Sequence, residues 1–293
     1  MPKNIFIVAG EPSGDSNAAN LMKALKSLSN NISFVGIGGQ EMASEGLSTI
    51  VPLEDISIVG FWEVAKKIGF IQGVFKKCRS VFQTQQIDLL ILVDFPGFNL
   101  KLANIAKEFS IPVCYYIAPQ VWAWGKNRIS TIKKFVDLLF VVFPFEKEFF
   151  EQNGIEAHFV GHPIMDNEIF QGDFLLSTER ENTIAILPGS RKQEIIHHKK
   201  IINDLTLTIK RELKGFKVAI PLTKNFASIA LPKHLRYTDE IEFVSDSREL
   251  MKKSKIGIIK TGTSNLEAAL LGLPFVMFYK TSNISYTIGK FLV

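Results

Sequence analysis

Short, continuous apolar runs recur along the chain, each followed by a small or polar turn and then by a helical pattern. In the first half they are Asn4–Ala9 (NIFIVA), Ser33–Gly38 (SFVGIG), Leu89–Val93 (LLILV), Pro112–Ile117 (PVCYYI) and Leu138–Val142 (LLFVV). Consecutive apolar positions of this length predict strands of a parallel sheet, buried on both faces. Leu21, Ala24, Leu25 and Leu28 give the helical spacing after the first run, and Glu146–Gln152 gives a short helix after the last. Residues 166–182 are polar and irregular, with a charge cluster at Glu179-Arg180-Glu181. The pattern then restarts with strands at Thr183–Leu187, Val218–Pro221 and Ile241–Val244 and helices from Lys192 and over Ser247–Lys253. The last repeat, Ile256 to Lys280, reads as a strand, a turn, a helix beginning near Ser264, and a second strand. The pattern predicts an α/β chain of two domains, residues 1–166 and 167–293.

A length of 293 residues and a 46 % hydrophobic share fit two domains of ordinary size with sizeable cores. Cys78 and Cys114 lie far apart without metal spacing, as reduced thiols in a cytosol do. The chain enters a strand almost at once, which predicts no signal peptide. No apolar run reaches the roughly 18 residues of a membrane span. The net charge of +5 is uneven: residues 1–170 carry 15 Lys and Arg against 17 Asp and Glu, and residues 171–293 carry 19 against 12. The basic second half suits a polyanionic ligand such as a nucleotide.

The chemistry-bearing residues gather at the carboxyl ends of the expected strands, where open α/β sheets bind ligands. Gly10-Glu11-Pro12-Ser13-Gly14-Asp15 follows the first strand. It is not a dinucleotide fingerprint, and its acidity suits sugar hydroxyls better than a phosphate. Ser13 or Asp15 capping the helix is the structural alternative. Asp94 ends another strand, ahead of Phe95-Pro96-Gly97-Phe98-Asn99; a carboxylate there can take a proton from an attacking hydroxyl, or can bond local amides. Gln120, Trp122, Trp124 and Lys126 fill a loop at a third strand end, where aromatic faces beside amides suit sugar rings or wedge an interface. His162 reads as a turn residue before it reads as an acid or base. In the second half, Arg191 of Pro188-Gly189-Ser190-Arg191 stands where a strand meets a helix and suits a phosphate. The turn Lys260-Thr261-Gly262-Thr263-Ser264 lets backbone amides and hydroxyls approach a ligand over a helix start. Glu267 either caps that helix with Ser264 or accepts from a sugar diol.

Ile56 to Phe75 stands apart. Apolar residues cover more than one helical stripe, and Lys66, Lys67, Lys76, Lys77 and Arg79 cluster beside them. Part is core. The surplus, Val59, Phe61 and Trp62 above all, lies on a solvated face, on a membrane surface or against acyl chains. The five histidines offer no ligand spacing, so no metal site is expected.

AGEPSGD at 9–15, VDFPGFN at 93–99, APQVWAWGKNR at 118–128, VGHP at 160–163, LPGSRKQE at 187–194 and KTGTSNLEAALLGLP at 260–274 together resemble the lipid-A-disaccharide synthases. These are bacterial inverting glycosyltransferases of lipopolysaccharide assembly. The 118–128 block is the most specific of the motifs. The resemblance implies two Rossmann-like domains facing a cleft in the glycosyltransferase-B manner, the first for acceptor and lipid, the second for the nucleotide sugar. It implies UDP-2,3-diacylglucosamine as donor and 2,3-diacylglucosamine 1-phosphate as acceptor, joined in a β-1,6 linkage with release of UDP, and no cofactor or metal. Asp94 matches the family's general base, and Glu11 an acidic residue of the same cleft. Ser13, Gly14, Asp15, Asn99, Gln120 and Trp122 fall in motifs that would line the site. Arg191 and Thr261 to Ser264 would neutralise the departing diphosphate, Glu267 would hold the ribose hydroxyls, and Glu194 is a further substrate-binding candidate. Val59, Phe61, Trp62, Ala65 and Ile68 become a membrane or acyl-chain surface at the inner face of the bacterial inner membrane, and a homodimer is left open. No nucleic-acid partner is expected. Members of the family run on beyond Val293, so the resemblance also implies a second domain that is incomplete here.

Two other readings remain at this point. A UDP-N-acetylglucosamine 2-epimerase would share the architecture but leave the lipid surface and the tryptophan block unused. A non-catalytic nucleotide-sugar binder would bind UDP without turnover.

Overall fold

The computed structural model describes residues 3–56, 61–123, 125–172, 175, 178–189, 192–222 and 241–280. The chain divides into two compact units, Met1–Pro163 and Ile164–Val293. Each is a parallel sheet with helices on its faces.

In the first unit the chain runs β1 (Lys3–Ala9), α1 (Pro12–Leu28), β2 (Ile32–Gly38), α2 (Gln40–Ser44), β3 (Leu47–Pro52), α3 (Leu53–Ile56), α4 (Phe61–Thr84), β4 (Leu89–Val93), α5 (Pro96–Glu108), β5 (Val113–Tyr116), α6 (Ile129–Phe135), β6 (Leu138–Val141), α7 (Pro144–Gln152) and β7 (His158–Phe159). Among the described residues the strand order is β3-β2-β1-β4-β5-β6-β7, and every pairing is parallel. Alternation along a strand sends successive side chains to opposite faces. Phe6 and Val8 of β1 enter one core with Val74, Cys78 and Phe82 of α4 and Leu102 and Ala106 of α5. Ile5, Ile7 and Ala9 enter the other, with Ala18, Ala19 and Met22 of α1. Covering both faces explains why these strands read as unbroken apolar runs.

In the second unit the order in sequence is β8 (Glu181–Leu187), α8 (Lys192–Glu212), β9 (Lys217–Pro221), β10 (Ile241–Val244), α9 (Ser247–Lys253), β11 (Ser254–Lys260), α10 (Thr263–Leu270) and β12 (Phe275–Phe278). The sheet order among the described residues is β10-β9-β8-β11-β12, again all parallel. Ile184 and Ile186 of β8 pack under Ile195, Ile202 and Ile209 of α8, while Ala185 and Leu187 face Leu250 and Met251 of α9 and Ala268 of α10.

The strand order locates the ligand-binding edge of each sheet. Connections run one way from β1 and the other way from β4, and likewise from β8 and β11. Loops at such a reversal diverge and leave a crevice at the carboxyl ends. Glu11 follows β1 and Asp94 follows β4; Gly189 follows β8 and Thr261 follows β11.

Candidate functional site

The carboxyl edge of the first sheet carries backbone strain. Asp94, Phe95 and Ile117 have φ of 47°, 49° and 63°, in the left-handed region that costs a non-glycine residue on the order of 1–3 kcal/mol. Asp94 and Phe95 form the turn from β4 into α5, and Pro96 starts the helix with its φ already set. Buried Asn99 holds the turn from below: its Nδ2 donates to the carbonyls of Val93, at 3.2 Å, and Asp94, at 2.6 Å. The fully buried Tyr115 hydroxyl donates to the same Asp94 carbonyl at 2.6 Å. Gly10 closes the other side, because a Cβ on it would lie 2.2 Å from the Phe95 ring.

Within this frame the Asp94 carboxyl is half-buried, and its pKa is pushed up to about 6. Burial is the largest cause, the Glu11 carboxylate the second, and a hydrogen bond from the Phe95 amide pulls the other way. Val93 pairs with Ala9 in register, which is how residues so distant in sequence come together.

Asp15 does something else. Its carboxylate is 4 % exposed and accepts from the amides of Gly39 at 2.6 Å, Glu41 at 3.1 Å and Met42 at 3.3 Å. It caps α2 rather than its own helix. The Asp15 carboxylate is thus engaged by the α2 terminus, and Asn99 is bonded into the β4–α5 turn. Ser13 is exposed and Gly14 buried in the first turn of α1.

Further along the same edge, Gln120 and Trp122 are exposed. The Trp122 indole is not loose. Its Nε1 donates at 3.0 Å to Glu146, whose fully buried carboxylate also accepts from the amides of Val142 and Phe143. Phe145 meets the indole edge-on at 5.0 Å. His162 packs its ring 5.4 Å from Phe143, and burial lowers its pKa.

In the second unit, α10 begins at Thr263 with Gly262 as N-cap. Ser264 is thus inside the helix, and Glu267 is too far along to close a capping box with it. Glu267 is instead nearly buried and accepts from Arg248 Nε at 2.8 Å. Thr261, Gly262 and Thr263 are exposed at the end of β11, with the Thr261 amide bonded to the Phe278 carbonyl at 3.0 Å. Glu194, in the first turn of α8, pairs with Lys260 at 2.8 Å. Fully buried His198 ties the β8–α8 loop to the end of β12: Nδ1 is 2.8 Å from the Pro188 carbonyl, and Nε2 is 3.2 Å from the Lys280 carbonyl. Val59, Trp124 and Arg191 lie outside the described residues, as do the side chains of Phe61, Trp62, Ala65 and Ile68.

Lys260, Arg248, Glu146 and His198 are neighbours of the expected site residues that sequence reasoning passed over. Only Lys260 had a local signal, as the first residue of the glycine turn. Each of the other three has a partner between 19 and 82 residues away. Among the described residues no group of histidines, cysteines and carboxylates is arranged to hold a metal ion.

Several solved structures share the fold. A Staphylococcus aureus MnaA–UDP complex covers 100 % of this chain and 83 % of its own, with a TM-score of 0.63 at 15 % identity. The Neisseria meningitidis UDP-GlcNAc 2-epimerase bound to UDP-GlcNAc covers 99 % and 85 %, with a TM-score of 0.61 at 15 % identity. Likeness at that identity speaks to architecture alone. Sequence relatives are more specific. The lipid-A-disaccharide synthase of Trichlorobacter lovleyi is 36 % identical over 301 residues, spanning 100 % of this chain and 78 % of its own. That of Persephonella marina is 39 % identical over 306 residues, spanning 99 % and 79 %. A family model described as lipid-A-disaccharide synthetase matches residues 5–293, and the chain belongs to that glycosyltransferase family.

Proposed function

We propose that the chain joins UDP-2,3-diacylglucosamine to 2,3-diacylglucosamine 1-phosphate, forming the β-1,6-linked disaccharide 1-phosphate and UDP. The 6-hydroxyl of the acceptor attacks the anomeric carbon, the C1–O bond to the diphosphate breaks, and the hydroxyl proton goes to Asp94. The observation that carries this reading is the Asp94 carboxyl, half-buried at the strand-order reversal with a pKa raised to about 6. A base in that range is ionised at neutral pH yet holds a proton better than a free aspartate. Glu11 contributes by its charge. The first unit, residues 1–166 in the sequence reading, takes the acceptor, and the remainder takes the nucleotide. The turn at Thr261–Ser264 and Arg191 stabilise the departing diphosphate. Glu267, held through one oxygen by Arg248, presents the other to the ribose diol.

Both substrates carry acyl chains, so the enzyme works at a lipid surface, the inner face of the inner membrane. The excess of apolar and basic residues over 58–77 supports that reading. Among the described residues no helix is long and apolar enough to cross a membrane, so the association proposed is peripheral.

Disaccharide 1-phosphate formation from the two lipid substrates, measured for the chain and for Asp94→Asn, is the test. The variant is expected to lose at least about 10²-fold in rate and to keep its affinity for UDP. Turnover at the parent rate would remove Asp94 from the reaction.

A further inference from the structure

Lys260 is the last residue of β11 and would ordinarily extend its ammonium into water. Instead the side chain folds back over the end of the sheet. Its Nζ is 2.8 Å from Glu194 Oε1, and both side chains are only 14 % exposed. The ring of Tyr279 lies 5.7 Å from the same nitrogen. One glycine makes this path available. A Cβ on Gly189 would be 2.5 Å from Glu194 Oε2 and in contact with Lys260 Cδ at 3.4 Å. Gly189 also has φ of 103°, a conformation that side chains rarely adopt. The ammonium is therefore placed between the two turns that flank the β8–β11 reversal.

We propose that Lys260 is a binding residue for the donor's diphosphate and that Glu194 is the counter-ion that positions it. The inference rests on the reading of the second unit as the nucleotide site. An ammonium has three N–H donors. Glu194 takes one and fixes the direction of the chain, so phosphate oxygens entering between the turns meet donors already in place. The carboxylate also removes the cost of holding a lone cation away from water before the nucleotide arrives. Glu194 thus acts through Lys260. As the glycosidic C1–O bond breaks, the pair of electrons stays on the diphosphate oxygen, and the fixed ammonium offsets that charge.

Calorimetry on the full chain with uridine, UMP and UDP separates this role from a mere staple between β11 and α8. Lys260→Met is expected to lower UDP affinity about 10- to 100-fold, the range for losing a charge-assisted hydrogen bond, and to leave uridine affinity unchanged. Uridine binding also reports that the variant is folded. Glu194→Gln is expected to weaken UDP binding less, and the double variant to match Lys260→Met alone. UDP affinity unchanged in Lys260→Met overturns the proposal. So does an equal loss for all three ligands, which is what a staple would give. Additive losses in the double variant overturn the counter-ion role. A parent chain that binds neither UDP nor uridine overturns the nucleotide reading itself, and the role of Lys260 with it.

Discussion

Glu11 and Asp94 stand at the ends of adjacent strands, and the charge of the first helps to keep the proton on the second. The pairing of Ala9 with Val93 fixes their approach, and burial adds the larger part of the shift in Asp94 to about 6. If Asp94 is the base, kcat/KM rises with pH along an acid limb with an apparent pKa near that value. Glu11→Gln removes the second cause and leaves the first. The limb therefore moves to lower pH, though not as far as a free aspartate. A pH–rate profile of both proteins checks it, and a limb that stays in place would break the link between the two carboxylates.

The same shift carries a stability cost with a definite sign. Asp94 is held at about 6 in the fold against an ordinary 3.8. Between those values the folded chain binds more protons than the unfolded one, so stability falls as pH rises through the window. Above it the cost is complete, on the order of 3 kcal/mol. Asp94→Asn is expected to raise the denaturation midpoint at pH 8 and to bring no gain near pH 3, while activity is lost. Equal effects at both pH values would show that the carboxylate costs nothing to bury.

Gly10 and Phe95 test the frame rather than the base. Gly10→Ala places a methyl 2.2 Å from the Phe95 ring, so the ring must leave and the strained turn under Asp94 must shift. A loss of about 1–3 kcal/mol is expected, as for overpacking. Phe95→Ala makes room, and the double variant should recover part of that loss. Additive losses in the double-mutant cycle would mean that the two residues do not meet.

How much of this was readable in advance follows from distance along the chain. The strands of both sheets were legible because burial on two faces leaves unbroken apolar runs, as in Leu89–Val93. Asp94 was legible because it ends such a run. The start of α10 was legible to within a residue, at Thr263, but its cap was not: Ser264 looks like one, yet the N-cap is Gly262, which offers no side chain to read. The role of Asp15 was hidden because its amides belong to Gly39, Glu41 and Met42, beyond a whole strand. The His198 bridge to Lys280 spans 82 residues and has no local signature. Pairings of this kind are set by strand order, and strand order is not written in any one segment.

Asp15 itself gives a prediction without reference to catalysis. Asp15→Ala leaves three backbone amides without their acceptor beneath a buried carboxylate site, a loss of about 1–3 kcal/mol. Asp15→Asn retains one acceptor oxygen and should lose less. Chemical denaturation of the two variants orders them, and the reverse order would mean that an acceptor oxygen is not what the α2 terminus requires.

Trp122 owes its orientation to Glu146, and that dependence separates positioning from bulk. The fully buried Glu146 carboxylate accepts from the indole at 3.0 Å and from the amides of Val142 and Phe143 at 3.1 and 3.0 Å. Glu146→Gln must turn an NH2 group toward one of these donors, and the indole, on the exposed side, is the partner that can move. Under the proposed reading Trp122 packs against the acceptor sugar. Glu146→Gln is then expected to raise the KM for the acceptor several-fold while the KM for the UDP-sugar stays near the parent value. Trp122→Phe, which keeps an aromatic face but has no N–H to donate, should show the same split. A change in both KM values together, or in kcat alone, would mean that the tryptophan serves the framework and not the acceptor.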